Sequence, residues 1–166
     1  MGGNALIKMS DLKGAFEAMG FRNVKTLLAS GNVRFEGKKS ASASVAKCIE
    51  RGLEKKFKQP IHVIVRTLED IRKMVRAALF KGIKVAPYTR LYVTFLDNAP
   101  TSTLKIPYTS PAKDFRILKV TKGEIYSVLG ISGKAKTPEA MGIIEKEFGK
   151  KVTTRNWNTV VKIAKL

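Results

Sequence analysis

Leu12, Ala15, Phe16 and Met19 recur at the three- and four-residue spacing of one helical face, behind Ser10 as a candidate N-cap and ahead of Gly20, a residue that tolerates the left-handed helix end. The spacing predicts a first helix. Residues 24–28 and 33–35 are short β-favouring runs around Ala29-Ser30-Gly31-Asn32, a turn sequence, and predict a hairpin. A polar loop over 38–44 leads to a second helix with Val45, Cys48, Ile49, Leu53 and Phe57 on its inner face and Lys47, Glu50, Arg51, Glu54 and Lys55 around it, ended by Gln59-Pro60. Ile61, Val63 and Val65 alternate with His62, Ile64 and Arg66 as in a strand. Thr67 then caps a helix over 68–79, with Asp70 at the capping-box position and Leu68, Ile71, Val75 and Ala78 facing inward.

The second half repeats the theme. Residues 90–96 form a strongly β-like run, and 97–114, with Pro100, Pro107 and Pro111, is a long connection with room for at most one short helix. Residues 115–120 and 124–129 flank Thr121-Lys122-Gly123 as a second hairpin. Thr137-Pro138-Glu139 starts a helix that runs through Met141, Ile144 and Phe148 to Gly149. A short strand over 152–154 and a last helix over 157–165, with Trp157, Val160, Val161 and Ala164 on one stripe, complete the chain. The order is α β β α β plus a helix, then β, loop, β β α β plus a helix. The unit common to both halves is the split βαββαβ of ferredoxin-like sheets. The expected fold is therefore α+β, a tandem of two ferredoxin-like subdomains over 1–83 and 84–166, the first lacking its opening, central strand. Two strands would then lose a partner and leave unpaired edges or a groove.

Charge narrows the function classes. Lys and Arg number 32 against 13 Asp and Glu, a formal charge of +19. The excess is spread over both halves, with 17 bases against 7 acids over 1–83 and 15 against 6 over 84–166. A basic surface of this kind attracts phosphate backbones, because each neutralised phosphate releases condensed counterions. Cys48 is the only cysteine, so no intramolecular disulfide forms. The start, Met1-Gly2-Gly3-Asn4-Ala5, lacks the pattern of a secretory signal, and no apolar run approaches the ~20 residues of a membrane span. The expectation is a cytoplasmic protein with no membrane partner.

Specific chemistry is sparse. With one histidine, His62, and one cysteine, no zinc pair exists and no metal or cofactor is expected. Inward placement of Cys48 separates it from His62, which leaves no nucleophile constellation, and no catalytic residue is assigned. Asn32-Val33-Arg34-Phe35 faintly resembles a base-stacking strand of RNA-recognition sheets, but Phe35 stands there alone. Two segments suit an anion. Ser132, Gly133 and Lys134 lie between a strand and a helix N-terminus, where amides can cradle phosphate, although the glycine spacing is not that of a Walker loop. Arg155, Asn156 and Asn158 lie at the start of the last helix, where Asn156 or Thr154 also suits a cap and Trp157 an anchor. Two functions follow. One is non-catalytic, sequence-independent binding of nucleic-acid backbone through the basic surface. The other is binding or turnover of an anionic small metabolite at the two helix starts.

Gly2-Gly3-Asn4 leading into Met9-Ser10-Asp11-Leu12, then Gly20-Phe21-Arg22-Asn23-Val24-Lys25-Thr26, Ser30-Gly31-Asn32-Val33, Val63, Val65-Arg66-Thr67 and above all Thr153-Thr154-Arg155-Asn156-Trp157-Asn158-Thr159-Val160 resemble one family across nearly the whole chain. It is the bacterial and archaeal domain of unknown function number 1697. The resemblance implies two ferredoxin-like subdomains and carries no established activity. It also implies an apolar strand ahead of Gly2-Gly3-Asn4, and so predicts a native start about a dozen residues upstream, the length of one strand and its turn.

Overall fold

The computed structural model describes residues 6–130 and 136–166. The protein is α+β, with five helices and two antiparallel sheets among the described residues. It divides into two compact units, Met1–Arg72 with Lys162–Leu166, and Lys73–Val161.

In the first unit, α1 (Met9–Ala18) buries Leu12, Ala15 and Phe16. It starts two residues earlier than Ser10 as N-cap would set it. Lys8 is the N-cap, its carbonyl accepts the Leu12 amide at 3.0 Å, and Ser10 lies inside the helix. The far end is a Schellman turn: Gly20 takes φ +88°, its amide donates to Glu17 O at 3.0 Å and the Phe21 amide to Phe16 O at 3.2 Å. The apolar contact that accompanies this motif is present, with the Phe16 and Phe21 rings 5.8 Å apart. β1 (Arg22–Leu27) and β2 (Asn32–Glu36) form the expected hairpin, closing at Leu27 opposite Asn32, and the Asn32 side-chain amide donates to Leu27 O at 3.0 Å.

α2 (Ser42–Phe57) turns Ile49 and Leu53 into the core, each 1 % exposed, and ends where Lys58 adopts φ +56° ahead of Gln59-Pro60. Burying two such side chains contributes ~1.5 to 3 kcal/mol each. Cys48 is exposed, contrary to its expected inward place, because it precedes Ile49 by one residue, ~100° round the helix from the buried axis. Residues 61–65 are the second departure. Ile61, Val63 and Val65 pack on the same apolar cluster as Val33 and Phe35, as the alternation required, yet the segment joins no ladder. A strand needs a neighbour, and none of the described residues supplies one. The Val63 amide donates instead to Glu50 Oε1 of α2 at 2.9 Å.

α3 (Leu68–Ala77) starts as expected, with the Asp70 amide donating to Thr67 Oγ1 at 3.1 Å. It buries Ile71 and Met74, whereas Ala78 falls outside the helix at φ +48° and is exposed. The second unit is built on one sheet of β3 (Arg90–Leu96), β4 (Tyr108–Thr109), β5 (Phe115–Val120), β6 (Glu124–Leu129) and β7 (Val152–Asn156), in the spatial order β4-β5-β6-β3-β7. All its pairings are antiparallel. The connection over 97–107 carries no helix, and its prolines leave only the two-residue β4 at the sheet edge. α4 (Thr137–Phe148) covers one face, packing Ala140 and Ile144 against Leu96, Phe115, Ile117, Ile125 and Leu129. On the other side Phe80 meets the Tyr126 ring at 5.9 Å and Trp157, first residue of α5 (Trp157–Ala164), at 5.1 Å. Both faces of β6 are therefore covered, and residues 125–130 are all buried.

Candidate functional site

The outer side of α2 carries the most regular charge in the first unit. Lys47, Arg51 and Lys55 follow one another at i, i+4 spacing, and Lys58 continues the row at the C-cap. All four are exposed, and none has an ion pair or side-chain hydrogen bond among the described residues. At 1.5 Å per residue the row advances ~6 Å between neighbours and ~16 Å from end to end. Two acids stand beside it. Glu50 is engaged by His62, whose Nδ1 lies 2.7 Å from Glu50 Oε1. Glu54 is exposed, and with Lys47, Glu50 and Arg51 it lines a shallow depression.

Two physical accounts compete for this row. Bases in the last turn complement the helix dipole, which suffices for Lys55 and Lys58. It does not suffice for Lys47 and Arg51, further from the C-terminus, because the dipole effect dies within one turn. Like charges at i, i+4 destabilise a helix by a few tenths of a kcal/mol per pair. Glu54, four residues before Lys58 and three after Arg51, offsets part of that repulsion, and the bases still outnumber the acids on this side by four to two, which favours an anionic partner. Exposed Cys48 lies on the same side, between Lys47 and Arg51. The i, i+4 spacing of three bases is the sequence signal for this row.

The expected anion site at the end of β7 is differently arranged. Arg155 and Asn156 are consecutive strand residues and take opposite sides of the sheet. Arg155 stands in a cross-strand row with Val93 and Tyr126. Its guanidinium donates to Thr153 Oγ1 at 2.7 Å and to Thr154 O at 3.0 Å, and burial lowers its pKa because the charged form is desolvated. Asn156 stands in the row of Tyr92 and Ser127, and the Tyr92 hydroxyl lies 3.4 Å from Thr137 Oγ1 at the start of α4. Asn156 Oδ1 accepts the Asn158 amide at 3.0 Å, an Asx turn that opens α5. Asn156 and Asn158 are thus brought together, while Arg155 is held on the far side of the strand. Ser132, Gly133 and Lys134 lie outside the described residues.

Phe35 does not face an open sheet surface. Its ring packs 5.3 Å from Phe16 and 4.6 Å from Phe21, and the opposite side of the hairpin carries Lys25 paired with Arg34. Among the described residues no group of three or more His, Cys, Asp or Glu is placed to hold a metal ion, and no helix is long and apolar enough to cross a membrane.

No curated protein matches the chain. A conserved bacterial protein from Streptococcus pneumoniae has a similar structure, with a TM-score of 0.70 and 18% identity over 99% of this chain and 91% of that one. At that identity the likeness concerns the fold alone. The family described as protein of unknown function (DUF1697) matches residues 1–126, and the chain belongs to it.

Proposed function

We propose that this protein binds the phosphate backbone of nucleic acid, without catalysis and without reading base sequence, through the exposed face of α2. One observation carries the reading: Lys47, Arg51, Lys55 and Lys58 form a row of exposed cations, none in an ion pair among the described residues, on a helix whose other side is locked into the core by Ile49 and Leu53. Because the row is mostly Lys, it supplies point charges rather than the bidentate fork that singles out a base edge. The remaining charge excess, +19 overall, adds long-range attraction. The test is titration of a labelled 20-mer nucleic acid at 50 and 200 mM NaCl. Affinity falling steeply with salt supports the reading, and a flat response refutes it.

On the fold we infer two ferredoxin-like subdomains. The reading is supported by the place of β3, between β6 and β7, which is the central position of the first strand in a βαββαβ unit, with the connection over 97–107 in place of its first helix. In the first subdomain, residues 61–65 and the β1–β2 hairpin are the parts of that unit that flank its central strand.

The second function, an anionic metabolite at the starts of α4 and α5, is favoured by the Tyr92 row, which carries Asn156 and reaches Thr137. Of the expected residues it keeps Asn156 and Asn158, with Ser132, Gly133 and Lys134 outside the described residues, while Arg155 stands across the strand from them. Placing a carboxylate at the exposed position 158 with Asn158→Asp abolishes binding of inorganic phosphate if this reading holds and leaves it unchanged if it does not.

A further inference from the structure

We propose that the nucleic acid which fits α2 is double-stranded, an inference that rests on the preceding reading and narrows its substrate class. The row of four cations is held on a rigid support. α2 spans 16 residues, is anchored by Ile49 and Leu53 at 1 % exposure each, and presents its bases at a fixed pitch. A duplex is the matching partner: it carries one charge per ~1.7 Å of axis and is stiff over ~50 nm, so it meets a preset row of charges without being ordered first. A single strand loses conformational freedom on the same row, and proteins that bind single strands offset that loss by stacking bases on exposed aromatic rings.

The first unit offers no such platform. Its four aromatic residues, Phe16, Phe21, Phe35 and Phe57, all pack on the apolar cluster formed with Leu12, Val24, Ile49 and Leu53. Phe57, on α2 itself, has Lys56 Nζ 5.9 Å from its ring. What flanks the row outward is Ser44, Cys48 and Glu54, none of which stacks on a base. Electrostatics and rigidity therefore point to the duplex, and the missing stacking surface counts against the single strand.

The test compares a 20-base-pair DNA duplex with its own single strand and with 20-mer polythymidylate, by fluorescence anisotropy at 50 mM NaCl on the full chain. The expected result is duplex binding about tenfold tighter than either single strand, with the steeper salt dependence of duplex contacts. K47Q/R51Q removes the preference. K150Q/K151Q, which makes the same net-charge change at two exposed lysines of the second unit, leaves it intact, and circular dichroism checks that both variants stay folded. Single strands that bind as tightly as the duplex, or a preference equally lost in K150Q/K151Q, overturn the inference while leaving backbone binding in place. Absence of binding to all three probes overturns the preceding reading as well.

Discussion

Neutralising the α2 row is the sharpest perturbation, because its effect can be worked out before it is measured. Each base that meets a duplex phosphate contributes about −0.9 to the slope of log affinity against log salt. Four such contacts give a slope near −3.6, so between 50 and 200 mM NaCl the α2 contribution weakens binding by ~150-fold. The variant K47Q/R51Q/K55Q/K58Q removes that slope, and each single variant lowers it by about 0.9, or ~3.5-fold over the same salt range. Folding survives, since all four positions are exposed and surface substitutions of this kind cost within ~0.5 kcal/mol. Relief of like-charge contacts along the helix offsets the loss of dipole complementarity at Lys55 and Lys58. Glu54→Gln is the opposite-sign control and tightens binding at 50 mM NaCl. Cys48 gives an independent assay, because the single thiol lies on the same side of α2 and its reaction rate with a thiol reagent falls when duplex covers the helix. An unchanged salt slope in the fourfold variant, together with an unprotected Cys48, refutes α2 as the interface.

Three further outcomes test the packing. The Tyr126 hydroxyl pKa is pushed up to about 12 by burial first and by the Glu124 carboxylate second, above the unfolded value of 10.0. The stability this group contributes is therefore fully present below pH 10 and lost as pH rises toward 12. Urea unfolding at pH 8 to 11.5 should show the parent chain losing roughly 2 kcal/mol relative to Tyr126→Phe, and parallel profiles would contradict the burial of the ring hydroxyl. Gly130→Ala should cost ~2 to 4 kcal/mol by thermal or urea unfolding, because φ is +83° and a Cβ there runs into the Tyr88 carbonyl oxygen. Gly31→Ala, at φ +79° in open space, should cost only ~1 kcal/mol, and equal losses would show that the Tyr88 contact is immaterial. Ser127 is fully buried and its Oγ has no hydrogen-bond partner among the described residues, so Ser127→Ala should be neutral or stabilising by up to ~1 kcal/mol; a loss above that would reveal a bond to this hydroxyl.

What the sequence by itself determined is whatever depends on neighbours three or four residues away. Apolar periodicity and chain punctuation located α1, α2, both hairpins, β3 and α4, and the Thr67 cap of α3 and the left-handed Gly20 were legible from residue type. The charge that motivates backbone binding was equally local, since it is a sum over residues.

Tertiary structure decided everything that depends on a partner distant in the chain. Residues 61–65 have the alternation of a strand, but a ladder is a property of two segments, and none of the described residues supplies the second. Ser10 is a good cap residue, yet packing of Leu12, Ala15 and Phe16 carried the helix start back beyond it. Cys48 is apolar enough for a core, and only the rotation fixed by Ile49 and Leu53 put it in solvent, alongside a row of bases that the same rotation exposes. Arg155 and Asn156 are adjacent in sequence and separated in space, because the pleat of β7 sends successive side chains to opposite faces. Local free energies choose the element. Which side of it meets the core, and therefore which residues remain to meet a ligand, is chosen by burial across the whole chain.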